Sequence, residues 1–378
     1  MELFFFIIVT YLLLLWVLSS DTCFKSVYVI GIIALYWGFS YINAADVPAY
    51  MDFFKYCGTG INAVSHIKDP SLLSFEKGFI FYMGWLKIVA GENYYLYQFL
   101  TLCIEFSLTY IGLKKLLCDK REVLLFFCIF ALQLPFFIAA MRQGLVISIF
   151  IYSLPYVVKR EYFKCVLLYL LSTVFHSSAI FLIGFVCFYW MFWNKLSIFF
   201  LNKKIPFYFF ITLNLFYFIG LNISNLMSEL FLLVLGHVEN MERDYTIYAE
   251  EFSTATFGIL KLLEMNIIFM ILFFTSWFKN KMFSNYSILI YLFLIYYVLN
   301  LLAGGIVVHR LNYYLNLPYN YMVTILLIFM LVYVLKRSRV FAAFAVLSYY
   351  TIFFIIANLF NTNYLCEYHL FDFLNLNI

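Results

Sequence analysis

Residues 141–179 read MRQGLVISIFIYSLPYVVKREYFKCVLLYLLSTVFHSSA and decide how the rest of the chain is interpreted. Two apolar runs, 145–158 and 163–175, flank the basic turn KRE. At about 1.5 Å per residue, each run crosses most of the hydrocarbon core of a bilayer. The pattern therefore predicts a membrane hairpin that brings Arg142 and His176 out at the same face.

The composition indicates the class of protein. Of the 378 residues, 66% are hydrophobic and only 12% are charged, with a mean hydropathy of +0.94. Soluble domains carry about 25% charged residues, so a polytopic membrane protein is expected. The net charge of +4 does not predict nucleic-acid binding, because the basic residues lie in short loops between apolar runs. Residues 1–18 lack a basic start and a cleavage site, which favours a first transmembrane helix over a signal peptide.

We predict an all-α, polytopic integral membrane protein with about twelve transmembrane helices plus a short re-entrant or interfacial helix at 79–90. The expected spans are 3–19, 24–43, 94–113, 122–138, 143–158, 162–175, 177–193, 205–222, 256–277, 284–303, 317–335 and 340–358. They form a single transmembrane domain over residues 1–378, with outer loops at about 44–77 and 223–255.

Basic residues predict the orientation. Most Lys and Arg residues fall in alternate loops, which the positive-inside rule assigns to the cytoplasm. The other loops, holding Arg142, His176 and Arg310, then lie on the far side of the membrane. A full span at 79–90 would instead move the 44–77 loop to the cytoplasm, but the shortness of that segment and its Lys87 favour a helix that does not cross.

Arg142 and His176 are the first candidates for a site at the outer face. An arginine presents a planar fork of donors to phosphate oxygens, although an interfacial arginine can also reach lipid headgroups. His176 suits a general base, a phosphate contact or a simple helix start.

Further outer-face candidates come from three other segments. Arg310 lies beside Tyr313 and Tyr314, which suit stacking on sugar rings or an aromatic belt at the membrane interface. Asp46 and Glu76 are carboxylates at predicted membrane edges, where each can accept a proton from an acceptor hydroxyl or act as a solvated loop acid. The acidic and aromatic loop at 223–255 fits a sugar-binding lid or a connecting loop.

Glu105, Lys261 and Glu264 are charged residues that lie away from the ends of their predicted spans. Glu105 is isolated, whereas Lys261 and Glu264 share one helix face and can neutralise each other. We expect them to line a polar cavity. The eight cysteines lack CxxC or metal-ligand spacing, and no GxSxG, HExxH or P-loop motif occurs, so neither a metal nor a cofactor is predicted.

The ordered motifs resemble those of a known family. Asp46 and Tyr50 form Asp-x3-Tyr, Glu76 begins Glu-x-Gly, Arg142 begins Arg-Gln, and residues 175–179 read Phe-His-Ser-Ser-Ala. Later in the chain, Arg310 precedes the tyrosine pair Tyr313 and Tyr314. This order resembles the EpsG-like polysaccharide polymerases and is similar to Wzy-type O-antigen or capsule polymerases.

The resemblance implies a metal-independent glycosyltransferase in a bacterial inner membrane. Such an enzyme joins undecaprenyl-pyrophosphate-linked oligosaccharide repeat units at the periplasmic face, as in lipopolysaccharide biosynthesis, alongside a chain-length regulator and other assembly proteins. The resemblance also implies acid/base roles for His176, Asp46 and Glu76. The implied pyrophosphate contacts are Arg142, Arg310 and Gln143, and the implied sugar contacts are Tyr50, Tyr313 and Tyr314.

Other functions remain compatible with the residues. A flippase of lipid-linked oligosaccharides would also have about twelve spans, but it would usually show two related halves with charges at mid-depth. Another lipid-donor glycosyltransferase or an acyltransferase would show similar outer-face residues. A purely structural scaffold is disfavoured by the outer arginines.

Overall fold

A computed structural model describes residues 2–19, 24–41, 46–65, 75–117, 120–134, 136–201, 204–219, 259–274, 286–302 and 306–360. This part of the chain is helical and contains no strand. In chain order the helices are α1 (Glu2–Ser19), α2 (Lys25–Gly38), α3 (Val47–Tyr56), α4 (Lys77–Ala90), α5 (Tyr94–Leu117), α6 (Lys120–Phe130), α7 (Phe136–Ala139), α8 (Met141–Val158), α9 (Tyr162–Phe175), α10 (Ile180–Leu201), α11 (Lys204–Ile219), α12 (Ile259–Phe274), α13 (Ser287–Leu302), α14 (Ile306–Phe329) and α15 (Arg339–Phe360). Short 3-10 turns lie at Gly60–Ala63, Ala131–Gln133 and Ser177–Ala179, and a π-helical turn lies at Met330–Val334.

Length and hydropathy agree with the membrane class. Within the described residues, 4 helices are long and apolar enough to cross a membrane, namely Tyr94–Leu116, Met141–Val158, Ser177–Lys195 and Leu311–Val334. Shorter apolar helices are Phe5–Ser19, Lys25–Gly38, Tyr162–Phe175, Lys204–Ile219, Ser287–Leu302 and Arg339–Ile352. The chain is therefore an all-α protein of the membrane class, while the count of about twelve spans stays a prediction.

The predicted span at 122–138 is not one continuous helix. Its first part, α6, ends at Phe130 and continues as the 3-10 turn Ala131–Gln133. Pro135 follows in the sequence, and a proline has no N–H to continue an α-helical ladder. The Trp37 indole donates a hydrogen bond of 2.8 Å to the carbonyl of Ala131, which satisfies an acceptor at the break.

The helix near the C-terminal end begins earlier than the apolar pattern predicts. Arg310, Tyr313 and Tyr314 were expected in an outer loop, but α14 begins at Ile306 and contains all three. The Asn312 side chain exchanges hydrogen bonds of 2.7 and 3.1 Å with Asn300 of α13. Because such polar groups are paired inside the helical fold, hydropathy alone places the helix start too late.

The described helices form two compact units. Unit 1 comprises Met1–Pro155, Leu170–His176 and Leu327–Ile378, and unit 2 comprises Tyr156–Tyr169 and Ser177–Leu326. The single domain over 1–378 stays a prediction.

In unit 1, α2 packs closely on α5. A Cβ added at Gly38 would lie 2.5 Å from the Phe99 Cα, so the two backbones approach as only glycine allows. The Gln98 side-chain amide donates to the carbonyls of Trp37, Gly38 and Ser40 at 2.9–3.1 Å. These bonds satisfy the carbonyl end of α2.

Lys87 attaches α3 to α4 in the same unit. Its ammonium group donates to the carbonyls of Phe54, Lys55 and Cys57 at 2.7, 3.2 and 3.1 Å, although only 4% of the side chain is exposed. A cation at the carbonyl end of a helix is stabilised by the helix dipole. The role of Lys87 in the structure is therefore to cap α3.

Unit 2 contains a buried polar network between its helices. The Asn214 and Asn266 side chains exchange amide hydrogen bonds, and the Tyr297 hydroxyl donates to Asn266 Oδ1 at 2.6 Å while accepting from Asn214 at 2.9 Å. This network links α11, α12 and α13. Each polar group is paired, as the helical interior requires.

Candidate functional site

The site in unit 1 is built around Glu76, the residue that precedes α4. Its backbone is extended (φ −61°, ψ 135°), and only 13% of its side chain is exposed. Gly78, in the first turn of α4, packs against Val174: an added Cβ would lie 2.0 Å from Val174 Cγ1 and 2.5 Å from the Val174 carbonyl oxygen. The glycine of the Glu-x-Gly motif therefore lets the start of α4 approach the end of α9.

Arg142 lies in the first turn of α8 and makes the first contact with Glu76. Its Nη1 donates a hydrogen bond of 2.7 Å to Glu76 Oε2. The guanidinium plane lies over the ring of Phe75, with 4.3 Å between Cζ and the ring centroid. Such an ion pair and cation–π contact fix the orientation of the guanidinium.

The guanidinium retains a buried donor for a ligand. Arg142 is 11% exposed, and its Nε lies buried without a hydrogen-bond partner among the described residues. A buried donor without a partner is costly, so such a group indicates a position that a ligand acceptor can complete.

His176 makes the second contact with Glu76. Its Nδ1 lies 2.8 Å from Glu76 Oε1, and its Nε2 lies 3.2 Å from the side-chain nitrogen of Gln143. An amide nitrogen only donates, so in this arrangement His176 Nε2 accepts and Nδ1–H donates to Glu76. The carboxylate thus holds a neutral imidazole in one tautomer, with Nε2 carrying the lone pair.

The charges around Glu76 keep it ionised. Burial raises the pKa of the Glu76 carboxyl, but the hydrogen bond from His176 and the charge of Arg142 outweigh burial and hold the pKa below its usual value. A carboxylate of this kind is a weak base. Its two oxygens orient Arg142 and His176.

Tyr50 lies next to this cluster on α3. It is only 1% exposed, and it lies close enough to Arg142 to be influenced by its charge. Burial raises the pKa of Tyr50 to about 12, while the charge of Arg142 acts in the opposite direction. The phenol therefore stays protonated at neutral pH in its buried position near the guanidinium.

Asp46 stands apart from this group. It is exposed, immediately precedes α3, and makes no side-chain capping hydrogen bond. Within the described part of the chain, its carboxylate has no hydrogen bond to Arg142, Glu76 or His176. It remains an accessible acid one helical turn from Tyr50.

The remaining predicted residues lie in unit 2. The Tyr314 hydroxyl is buried and hydrogen-bonded to the Ser178 hydroxyl, so it supports the packing of α14. Tyr313 is half-buried. The side chain of Arg310 and the loop at 223–255 lie outside the described residues.

Two contributions were not anticipated from the sequence. The roles of Phe75 under the guanidinium and of Lys87 as the cap of α3 depend on distant partners. Phe75 has a weak sequence signal, because it directly precedes Glu76. No group of three or more His, Cys, Asp and Glu residues that could hold a metal occurs in the described residues.

Comparison with known proteins identifies the family. No curated protein and no solved structure matches the chain. The model of the EpsG family matches residues 24–370, which is nearly the whole chain. That family is associated with polysaccharide polymerases of the membrane. With the Glu76, Arg142 and His176 motifs inside the matched region, this chain belongs to the EpsG family.

Proposed function

We propose that this protein is a polysaccharide polymerase that joins undecaprenyl-pyrophosphate-linked oligosaccharide repeat units at the periplasmic face of a bacterial inner membrane. The observation that supports this most is the Arg142 guanidinium, held on Phe75 by Glu76, with its buried Nε donor unpaired among the described residues. A fixed cation with an unused donor suits a phosphate oxygen.

The proposed reaction transfers the growing glycan to the incoming unit. The acceptor hydroxyl oxygen forms a bond with the anomeric carbon, the bond from that carbon to the pyrophosphate oxygen breaks, and undecaprenyl pyrophosphate leaves. Negative charge develops on the leaving oxygen, where Arg142 stabilises it. Arg310 and Gln143 remain candidates for further pyrophosphate contacts.

The acceptor proton is assigned to His176. Glu76 accepts from Nδ1–H and thereby directs the lone pair of Nε2, as a carboxylate orients a histidine base in other transferases and hydrolases. The Gln143 amide contacts Nε2 in this structure at 3.2 Å, and the acceptor hydroxyl would take that position. Asp46 is the alternative base, since its carboxylate is exposed near Tyr50. Tyr313 is the candidate sugar contact in unit 2.

The test is the surface glycan of a deletion strain complemented with variants. We expect Arg142→Ala to leave single repeat units on the surface and to abolish long chains, with the protein still inserted in the membrane. Arg337→Ala is the matched control, because Arg337 also lies over a phenylalanine ring, at 5.8 Å from Phe341, but is exposed. Long chains in the Arg142 variant would refute the assignment.

The same strain distinguishes the competing function. A polymerase deletion leaves single repeat units that are still exported and ligated. A flippase deletion removes the surface glycan entirely, because no unit reaches the outer face.

A further inference from the structure

Unit 2 holds a second cation that is arranged like Arg142 in unit 1. Lys261 and Glu264 lie one turn apart at the start of α12, and Tyr319 lies on α14. The Lys261 ammonium donates to Glu264 Oε1 at 2.6 Å, and the Tyr319 hydroxyl donates to the same oxygen at 2.5 Å. The ammonium also lies over the Tyr319 ring, 4.2 Å from its centroid.

The two clusters share their chemistry and their degree of exposure. Arg142 is 2.7 Å from its carboxylate and 4.3 Å from its ring, with 11% and 13% of the two charged side chains exposed. In unit 2 the exposed fractions are 21% for Lys261 and 15% for Glu264. Each of these two clusters therefore keeps a cation in place with one carboxylate and one aromatic ring.

Packing alone does not account for the Lys261 cluster. A buried ion pair is weak evidence for stability, since apolar residues of similar volume usually serve as well. Charged groups inside membrane helices usually serve a ligand or a transported group. An ammonium has three N–H donors, and one of those of Lys261 has a hydrogen-bond acceptor among the described residues, so within that part of the chain an anion can accept from the others.

The proposed reaction also needs two anion sites. The growing chain and the incoming unit each carry a pyrophosphate, and both are present when the new glycosidic bond forms. A single cationic site would serve only one of them.

We propose that Lys261, held by Glu264 and Tyr319, is a second pyrophosphate site. It binds one of the two lipid-linked substrates, and Arg142 binds the other. This inference rests on the proposed function. Glu264 and the Tyr319 ring position the ammonium, and the pyrophosphate accepts its remaining N–H donors.

The chain offers a matched control for Lys261. Lys164 forms the same kind of pair with Glu161, at 2.5 Å, and lies over the ring of Tyr156 at 5.0 Å. Its side chain is 58% exposed, in the first turn of α9 and next to the basic turn predicted to be cytoplasmic. The two lysines differ in burial and not in partner chemistry.

The test is a binding titration of the purified full-length protein in detergent with geranylgeranyl pyrophosphate. We expect two bound equivalents for the wild type and for Lys164→Met, and one equivalent for Lys261→Met. Lys261→Arg should restore the second equivalent, with affinity within about tenfold of the wild type, because a guanidinium also donates to phosphate. Two equivalents bound to Lys261→Met would overturn the proposal.

Two further arms separate the remaining outcomes. If Lys261→Met does not remain monodisperse, Lys261→Met with Glu264→Gln removes the unpaired carboxylate, and two equivalents bound to that double variant would equally overturn the proposal. The titration is repeated with inorganic pyrophosphate in place of the lipid. If Lys261→Met again binds one equivalent fewer than the wild type, the result supports the anion site and assigns it a soluble ligand. Arg142→Met distinguishes the two hypotheses: if it keeps both equivalents, the unit 1 assignment fails while the Lys261 site stands.

Discussion

Replacing Gly78 by alanine tests whether the approach of α4 to α9 creates the site. The added Cβ would lie 2.5 Å from the Val174 carbonyl oxygen, whereas ordinary contact begins at 3.4 Å. The side chain of Val174 can rotate, but its carbonyl belongs to the backbone and cannot. The two segments must therefore separate by roughly 0.9 Å, the difference between those distances.

This separation acts on the bond between Glu76 and His176. Their contact is 2.8 Å in the structure, and a shift of this size would lengthen it to about 3.6–3.7 Å, beyond hydrogen-bond range. We expect a loss of about 1–3 kcal/mol in the free energy of unfolding from overpacking. Misplacing the base by about 1 Å should lower the polymerisation rate by about 100-fold.

The assay compares glycan chain length and unfolding in SDS for Gly78→Ala and two controls. Gly31 in α2 and Gly184 in α10 have nothing within 4 Å of an added Cβ, so Gly31→Ala and Gly184→Ala should behave as the wild type or slightly better. If Gly78→Ala matches these controls in both measurements, the close approach does not create the site and the reasoning is wrong.

Three further predictions follow from the same contacts. Arg142→Lys keeps the charge but lacks the planar fork, so polymerisation should fall by about 10²–10³, as for loss of one preorganised donor, with protein levels unchanged in membranes. Lys87→Met should lower the free energy of unfolding by about 2–4 kcal/mol, measured in SDS, because three carbonyls at the end of α3 lose a charged donor. The Glu76 carboxyl has a pKa below its ordinary 4.5, so its contribution is present above about pH 4.5 and is lost as the pH falls further. Glu76→Gln should therefore lower the free energy of unfolding by about 3–5 kcal/mol at neutral pH. It should also make that free energy less dependent on pH in acid, whereas an unchanged pH dependence would contradict the ion pair.

Hydropathy predicts the helical class, and motif order singles out several residues that lie together in the structure. Runs of apolar residues predict helices such as α5, α8 and α15 close to their observed bounds, because a membrane helix satisfies its own backbone hydrogen bonds. The length of the hairpin predicts that Arg142 and His176 emerge at the same face of the membrane. In the structure both side chains contact the Glu76 carboxylate.

Two features of the fold depended on partners distant in sequence. The break after Phe130 and the early start of α14 are stabilised by Trp37 and by Asn300, whose contacts hydropathy does not report. Lys87 looked like an interfacial charge and is instead buried as a helix cap.

The amino-acid sequence by itself determined which groups are available: a guanidinium, an imidazole and several carboxylates at predicted membrane edges. Tertiary structure decided which of them meet. Glu76 and His176 are 100 residues apart, and the fold brings the carboxylate within reach of both the imidazole and Arg142, next to the close approach at Gly78. That carboxylate consequently stays ionised and orients its neighbours, because the pKa of a buried acid depends on the charges that the fold places around it.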